Sequence, residues 1–219
     1  MNILRFTIFT VGFLFGITAH GTGPQLFKDY NQGSMYEDYA GVATFYDCSA
    51  EVGTPALCND GVNFLSSEFT EVLVFQDNEL QSVSLVSEFS EPLYQKVFAA
   101  LYGKFSLSLL QSSTDQLDLI KLKLESKNES EFMAQLTEFE SIALNQGDLT
   151  YVFFDTERRS SGQVANITEL IHKLPEKARE IDLLIAEDEY DAWLTMKFTL
   201  PVLQVKNIEK LLRQPMEDF

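Results

Sequence analysis

Apolar and polar residues alternate in two stretches of the chain, one in each half. Residues 72–75 and 80–86 flank a polar turn, and in the second run the apolar residues alternate with serines. Residues 181–186 and 192–198 repeat this arrangement around an acidic turn. A period of two is typical of a half-buried strand, and two such runs around a short polar turn are typical of a hairpin. The sequence therefore predicts two β-hairpins.

Each predicted hairpin is followed by a helix signal. Ser90 is a favourable N-cap, Pro92 suits a first turn, and Gly103 is a stop signal after several apolar residues at helical spacing. Pro201 opens a similar amphipathic stretch after the second hairpin. We expect a ββα unit in both halves.

The two units can be aligned by a shift of 111 positions. This shift lays Val72 on Leu183, Asp77 on Asp188, Val83 on Leu194 and Leu85 on Met196. The interpretation is either a duplicated unit or the ordinary likeness of two hairpin–helix segments.

The remaining pattern predicts further strands and helices. Strands are expected at residues 42–47, 105–109 and 149–154, and residues 117–124 favour a bulged strand over a helix. Asn128 and Asn166, each with Glu three residues later, indicate capped helix starts.

The predicted fold class is α+β, with an antiparallel or mixed sheet and helices packed on one face. The predicted divisions are a signal peptide at 1–21, a flexible lead-in at 22–40, a first α+β unit at 41–112 that holds both cysteines, and a second α+β unit at 113–219. One continuous domain is the alternative.

The N-terminus has the composition of a secretory signal peptide. Arg5 is the only charge before Lys28, and an apolar stretch covers residues 6–19. This stretch is shorter than the roughly 20 residues that span a bilayer, so we expect cleavage, after Gly21 or after Ala19, and no integral membrane segment in the product. A buried N-terminal helix is the alternative. The expected location is the periplasm, or else the extracellular space.

Cys48 and Cys58 are the only cysteines. In an oxidising compartment a close pair is expected to form a disulfide, which contributes about 2–3 kcal/mol by restricting the unfolded chain. The spacing is not C-x-x-C and lacks neighbouring histidines, so redox catalysis and zinc binding are not indicated.

The formal net charge is −17. Such a surface repels nucleic acids and anionic lipids, which bind clustered Lys and Arg. Acidity serves solubility, or else it steers a basic protein partner to the surface.

Catalytic and metal signals are weak. Outside the leader His172 is the only histidine, and no G-x-S-x-G occurs, so serine or cysteine catalysis lacks a base. A speculative acidic patch for Ca²⁺ lies at Glu187, Asp188, Glu189 and Asp191. The glycine spacing of an EF-hand is missing there, which favours an exposed hairpin tip. We predict no cofactor.

The leading hypothesis is an exported, soluble, non-enzymatic protein that binds another macromolecule in the cell envelope, as an inhibitor, immunity-type protein or assembly factor. One alternative is a carrier of small apolar ligands, because the chain has 18 Phe and 8 Tyr that can line a cavity. The other is a hydrolase with two facing carboxylates of shifted protonation.

Overall fold

A computed structural model describes residues 23–156, 164–187 and 191–212. The predicted signal peptide, and Asp188 and Glu189 of the acidic turn, lie outside these residues. The strands are β1 Gln25–Phe27, β2 Tyr30–Asn31, β3 Tyr46–Asp47, β4 Ala56–Phe64, β5 Ser67–Gln76, β6 Glu79–Glu88, β7 Ser106–Gln111, β8 Gln116–Asp118, β9 Asp148–Phe154, β10 Glu180–Glu187 and β11 Ala192–Thr199. The helices are α1 Glu37–Ala40, α2 Ser49–Val52, α3 Glu91–Lys104, α4 Leu119–Glu125, α5 Glu129–Asn145, α6 Ile167–Lys173 and α7 Pro201–Leu212.

Nine strands form one antiparallel sheet in the order β3-β4-β5-β6-β11-β10-β9-β7-β8. Both predicted hairpins are confirmed, and β6 pairs with β11 to join them. Asp77 and Asn78 form the first turn with φ of 51° and 71°, the left-handed values that a two-residue hairpin turn requires. The two predicted units therefore share a continuous sheet.

The register defines two faces. Met196 pairs with Leu85 and Leu183, whereas the next residue, Lys197, pairs with Ser84 and Asp182. Directly paired residues point to the same side of a sheet, and successive residues point to opposite sides. We call the side of Met196 the first face and the side of Lys197 the second face.

The first face carries the main core. Leu85, Leu183 and Met196 are buried there with Leu93 and Val97 of α3. Phe132, Leu136 and Phe139 line one side of α5, as the helical spacing predicts, and pack against the same core.

The second face is covered at its flanks. On β9, Val152 and Phe154 contact Leu170 of α6, and this second cluster also receives Val202 of α7. At the other flank, Cys48 and Val72 belong to a third cluster. The predicted α+β class, an antiparallel sheet with packed helices, is confirmed. The helices α3 and α5 lie on the first face and α6 lies on the second, because β9 is apolar on both sides.

The stretch predicted as a flexible lead-in is packed against the sheet. Leu26 is fully buried and Phe27 is 6 % exposed, and the ring of Phe27 stacks on Phe198 of β11. Tyr30 donates a 2.6 Å hydrogen bond to Glu71, which is 2 % exposed. The segment is therefore not a flexible lead-in. Two apolar residues without periodicity are enough to anchor it, because their side chains pack into the first-face core of the sheet.

Residues 117–124 form the end of β8 and the start of α4 rather than the bulged strand that the alternation predicts. The Asp118 carboxylate accepts from the backbone N–H groups of Ile120 and Lys121, and this N-cap starts the helix. Asn128 and Asn166 cap α5 and α6 as predicted.

The two hairpin–helix units differ in packing. Val83 and Leu194 are both fully buried on the first face, as the 111-residue shift implies. Val72, however, lies in the second-face cluster while Leu183 lies in the first-face core. The helix α3 packs on the first face, whereas α7 contacts both the first-face core, through Leu203, and the second-face cluster, through Val202.

Candidate functional site

The candidate site lies on the second face, along the middle strands β6, β11 and β10. Ile181, Leu183 and Ile185 of β10 are buried on the first face, so the period of two turns Glu180 and Asp182 to the second face. Among the described residues, neither flanking cluster includes a second-face residue of β10 or β11. We call this surface the open strip; its polar residues are Ser82, Ser84, Glu180, Asp182, Thr195, Lys197 and Thr199.

Strand pairing brings the charged groups together. Asp182 pairs with Lys197, and Glu180 pairs with Thr199. Both carboxyl groups are partly buried, whereas Lys197 is exposed. The strip thus holds two acids on one strand and a single cation on the next.

Burial sets the protonation of the two acids. The pKa of Glu180 is raised to about 7, chiefly by burial and also by the neighbouring Asp182, against the lowering effect of Lys197. Burial also raises the pKa of Asp182 to about 6, again against the effect of Lys197. A carboxyl with a pKa near neutrality can gain or lose a proton at physiological pH, which is common at functional sites.

Thr199 adds an unsatisfied group to the strip. Its side chain is 1 % exposed, and Thr199 Oγ1 has no hydrogen-bond partner among the described residues. The hydroxyl lies beside Glu180, its partner across the ladder, and favours the ionised form of that carboxyl by lowering its pKa. Buried polar groups are nearly always hydrogen-bonded. Thr199 Oγ1, next to Glu180, is therefore an unusual buried group that could take part in binding.

The other end of the strip is apolar. Trp193, the only tryptophan in the chain, is 39 % exposed on the second face, and Leu184 and Val86 are half-buried on the same side. Exposed Trp side chains are frequent anchors of protein contacts. The open strip therefore combines an aromatic anchor with an acidic end.

A second polar cluster lies inside the first face. Tyr94 of α3 donates to Tyr151 Oη at 3.1 Å, and Tyr151 donates to Glu140 Oε1 of α5 at 3.0 Å. Burial raises the pKa of Tyr151 and of Glu140. This chain of bonds joins two helices to β9, and each of its donors has an acceptor, so we interpret it as structural.

The disulfide between Cys48 and Cys58 is confirmed, with Cα atoms 5.8 Å apart. Both cysteines are buried against β4 and β5. The bridge therefore fixes one flank of the second face, and we assign it no catalytic role.

The remaining predicted site residues are not brought together with the strip. Glu187 and Asp191 are exposed beside the hairpin turn, while Asp188 and Glu189 fall outside the described part of the chain. Within that part, no group of three or more His, Cys, Asp or Glu side chains could hold a metal ion. His172 is exposed on α6.

Sequence reasoning missed Glu180 and Asp182. The apolar pattern of the hairpin begins at Ile181, so the two acids count as the polar half of an ordinary strand. The available signal is that Asp182 lies between Ile181 and Leu183, and that Lys197 occupies a matching polar position of the next strand. Only the register of β10 and β11 places them in contact range.

Comparisons with protein-family models, with curated proteins and with solved structures give no match. In the described residues, no helix is both long enough and apolar enough to cross a membrane.

Proposed function

We propose that this chain is an exported, non-enzymatic binding module whose open strip receives a basic protein partner in the cell envelope. The periplasm is the proposed compartment, with the extracellular space as the alternative. The disulfide is compatible with either, because both are oxidising.

One observation carries the proposal: the middle of the sheet displays Trp193 and two carboxyl groups on a face whose flanks are both covered. Stable sheets bury a face against another layer, and here β10 and β11 contribute no second-face residue to an apolar cluster of the described residues. A partner that covers the strip would bury the indole and neutralise the acids.

Charge complementarity selects the chemistry of that partner. The chain has 33 acidic and 16 basic residues, so its field attracts a basic protein and accelerates encounter at low salt. Binding that depends on this field weakens when salt shortens the screening length to a few ångströms.

Site-specific photo-crosslinking tests the proposal. The full chain is produced with benzoylphenylalanine at position 193, and a matched chain carries it at Tyr102, an aromatic on α3 that is 55 % exposed. We expect adducts with a basic protein of the envelope from position 193, fewer adducts as salt rises from ~0.05 to ~0.5 M, and none from position 102. Equal adducts at both positions, or none at 193, would contradict the proposal.

A carboxylate-based hydrolase is the second candidate, favoured by the same two acids. Carboxyl groups with pKa values near neutrality can serve as general acid and base in glycoside cleavage. Chromogenic glycosides cleaved by the native chain, with cleavage lost in both Glu180→Gln and Asp182→Asn, would replace the binding proposal with this one.

The apolar-ligand carrier has weaker support. On the first face, the Phe98 ring lies 5.2 Å from Tyr151 and 5.7 Å from Phe153, centroid to centroid. Rings at such distances fill a core, so the carrier stays an alternative prediction.

A further inference from the structure

We infer that Glu180 and Asp182 together bind one guanidinium group, an arginine side chain of the partner, with Thr199 as the positioning residue beside them. The inference rests on the proposed function and names the group that the acidic end of the strip recognises.

The spacing of the two acids suits a guanidinium. Residues two apart on a strand are separated by about 7 Å and point to the same side, so a ligand lying between them meets both carboxylates. A guanidinium is planar, carries five N–H donors and is weakly hydrated, which suits it to partly buried carboxylates. A lysine ammonium is compact and strongly hydrated, and it contacts one carboxylate well.

A bound guanidinium stabilises the ionised acids and also gives Thr199 Oγ1 a hydrogen-bond acceptor. Glu180 and Asp182 are costly to ionise in their partly buried positions, and a cation between them stabilises both charges. Thr199 Oγ1 has no partner among the described residues, and once Glu180 is ionised the hydroxyl can donate to its carboxylate. A bound guanidinium therefore provides partners for both carboxylates and, through ionised Glu180, for Thr199 Oγ1.

Lys197 opposes external cations at this site. It is the charged residue that pairs with Asp182 across the ladder, and Ser84, on its other side, is neutral. No ion pair joins Lys197 to either carboxylate in the described part of the chain, and its side chain is exposed. We expect its removal to tighten guanidinium binding, because the acids then lack a resident counter-charge.

The probe is N-acetyl-arginine amide, titrated into the full chain near pH 7.5 at low salt and followed by backbone amide shifts in NMR. We expect the shifts to centre on Asp182, Lys197 and Thr199, with a dissociation constant on the order of 10 mM, as suits a single side chain. The neutral isostere N-acetyl-citrulline amide should give no such shifts, and N-acetyl-lysine amide should bind several-fold more weakly.

Three variants decide the assignment. Glu180→Gln/Asp182→Asn should abolish the shifts, whereas the matched control Glu68→Gln/Asp77→Asn, which removes two exposed acids elsewhere, should keep them. Lys197→Gln should tighten binding two- to five-fold. Equal binding of the lysine and arginine probes, or unchanged shifts in the Glu180/Asp182 variant, would overturn the inference.

The test separates the inference from the proposed function. If crosslinking from position 193 persists while the arginine probe leaves the strip unperturbed, the guanidinium site is wrong and the partner-binding module stands. If the probe binds the two acids and position 193 gives no adduct, the module is wrong while the guanidinium site stands.

Discussion

Two sets of buried polar groups, one on each face of the sheet, differ in their hydrogen-bond partners. On the first face, the buried Glu71 accepts from Tyr30 at 2.6 Å, and Tyr151 is bonded on both sides. On the second face, Thr199 is equally buried and has no partner among the described residues. The comparison teaches that burial by itself does not mark a site. Gln32 Oε1 and Ser106 Oγ are also buried without a partner among the described residues, so an incomplete set of partners is informative at Thr199 because a partly buried acid, Glu180, pairs with it.

The largest expected contrast between the faces is in packing. Phe153 is fully buried on the first face, so Phe153→Ala should lower the free energy of unfolding by about 3–5 kcal/mol through lost burial and a cavity. Thr195, half-buried on the open strip, should tolerate Ala within about 0.5 kcal/mol. Urea unfolding followed by circular dichroism measures both, and similar losses would mean that the second face is packed like the first.

The disulfide tests whether the flank of the second face depends on its bridge. Cys48→Ser/Cys58→Ser should lower the free energy of unfolding by about 2–3 kcal/mol, because the unfolded chain regains the freedom of a loop closed over a sequence separation of 10. Reduction of the native chain with dithiothreitol is the control and should give a similar loss. A loss under 1 kcal/mol would show that the buried contacts of β4 and β5 hold the loop without the bridge.

Glu180 should make stability fall with pH. Its pKa is about 7 in the folded chain, raised from the ordinary value of 4.5, so between these values the folded state binds more protons than the unfolded state and stability decreases as pH rises. The full shift corresponds to about 3 kcal/mol, which solvent screening of a partly exposed group reduces to about 2 kcal/mol.

Glu180→Gln should therefore stabilise the chain by about 2 kcal/mol near pH 8.5 and have almost no effect near pH 4. The exposed Glu68→Gln is the control. Unfolding free energies measured across this pH range check the prediction, and a destabilising Glu180→Gln at pH 8.5 would mean that Glu180 is held ionised by a favourable partner.

The smallest expected effect compares two tyrosine–carboxylate bonds. Tyr30→Phe leaves the buried Glu71 without its tyrosine donor and should cost about 1–2 kcal/mol. Tyr46 donates to Asp60 at 3.2 Å on the exposed surface, and Tyr46→Phe should cost under about 0.5 kcal/mol because water replaces the bond. Equal losses in thermal unfolding would contradict the role of burial in this comparison.

Most of the sheet could be predicted from the sequence because its strands alternate. The hairpins β5–β6 and β10–β11, the strand β9 and the caps Asn128 and Asn166 are confirmed. A helix cap or a period of two depends only on neighbouring residues, so both can be identified in a single sequence.

The remainder depended on contacts between distant residues. Nothing local distinguishes Leu26 and Phe27 from an apolar pair in a loose segment, and their burial needs the surface of β11. The pairing of Asp182 with Lys197 likewise follows from the register of two strands. The sequence also did not show which face of the sheet α6 and α7 pack against. Helical periodicity shows that a helix has an apolar side, but it does not show which residues that side contacts.

The strand order means that the middle of the sheet forms last during folding. The pair β10–β11 comes last along the sequence and lies between β6 and β9. Until residues 180–199 have left the ribosome, both of those strands present unpaired edges of the kind that promote aggregation. The sheet therefore closes only when the last hairpin inserts between two strands that are already present.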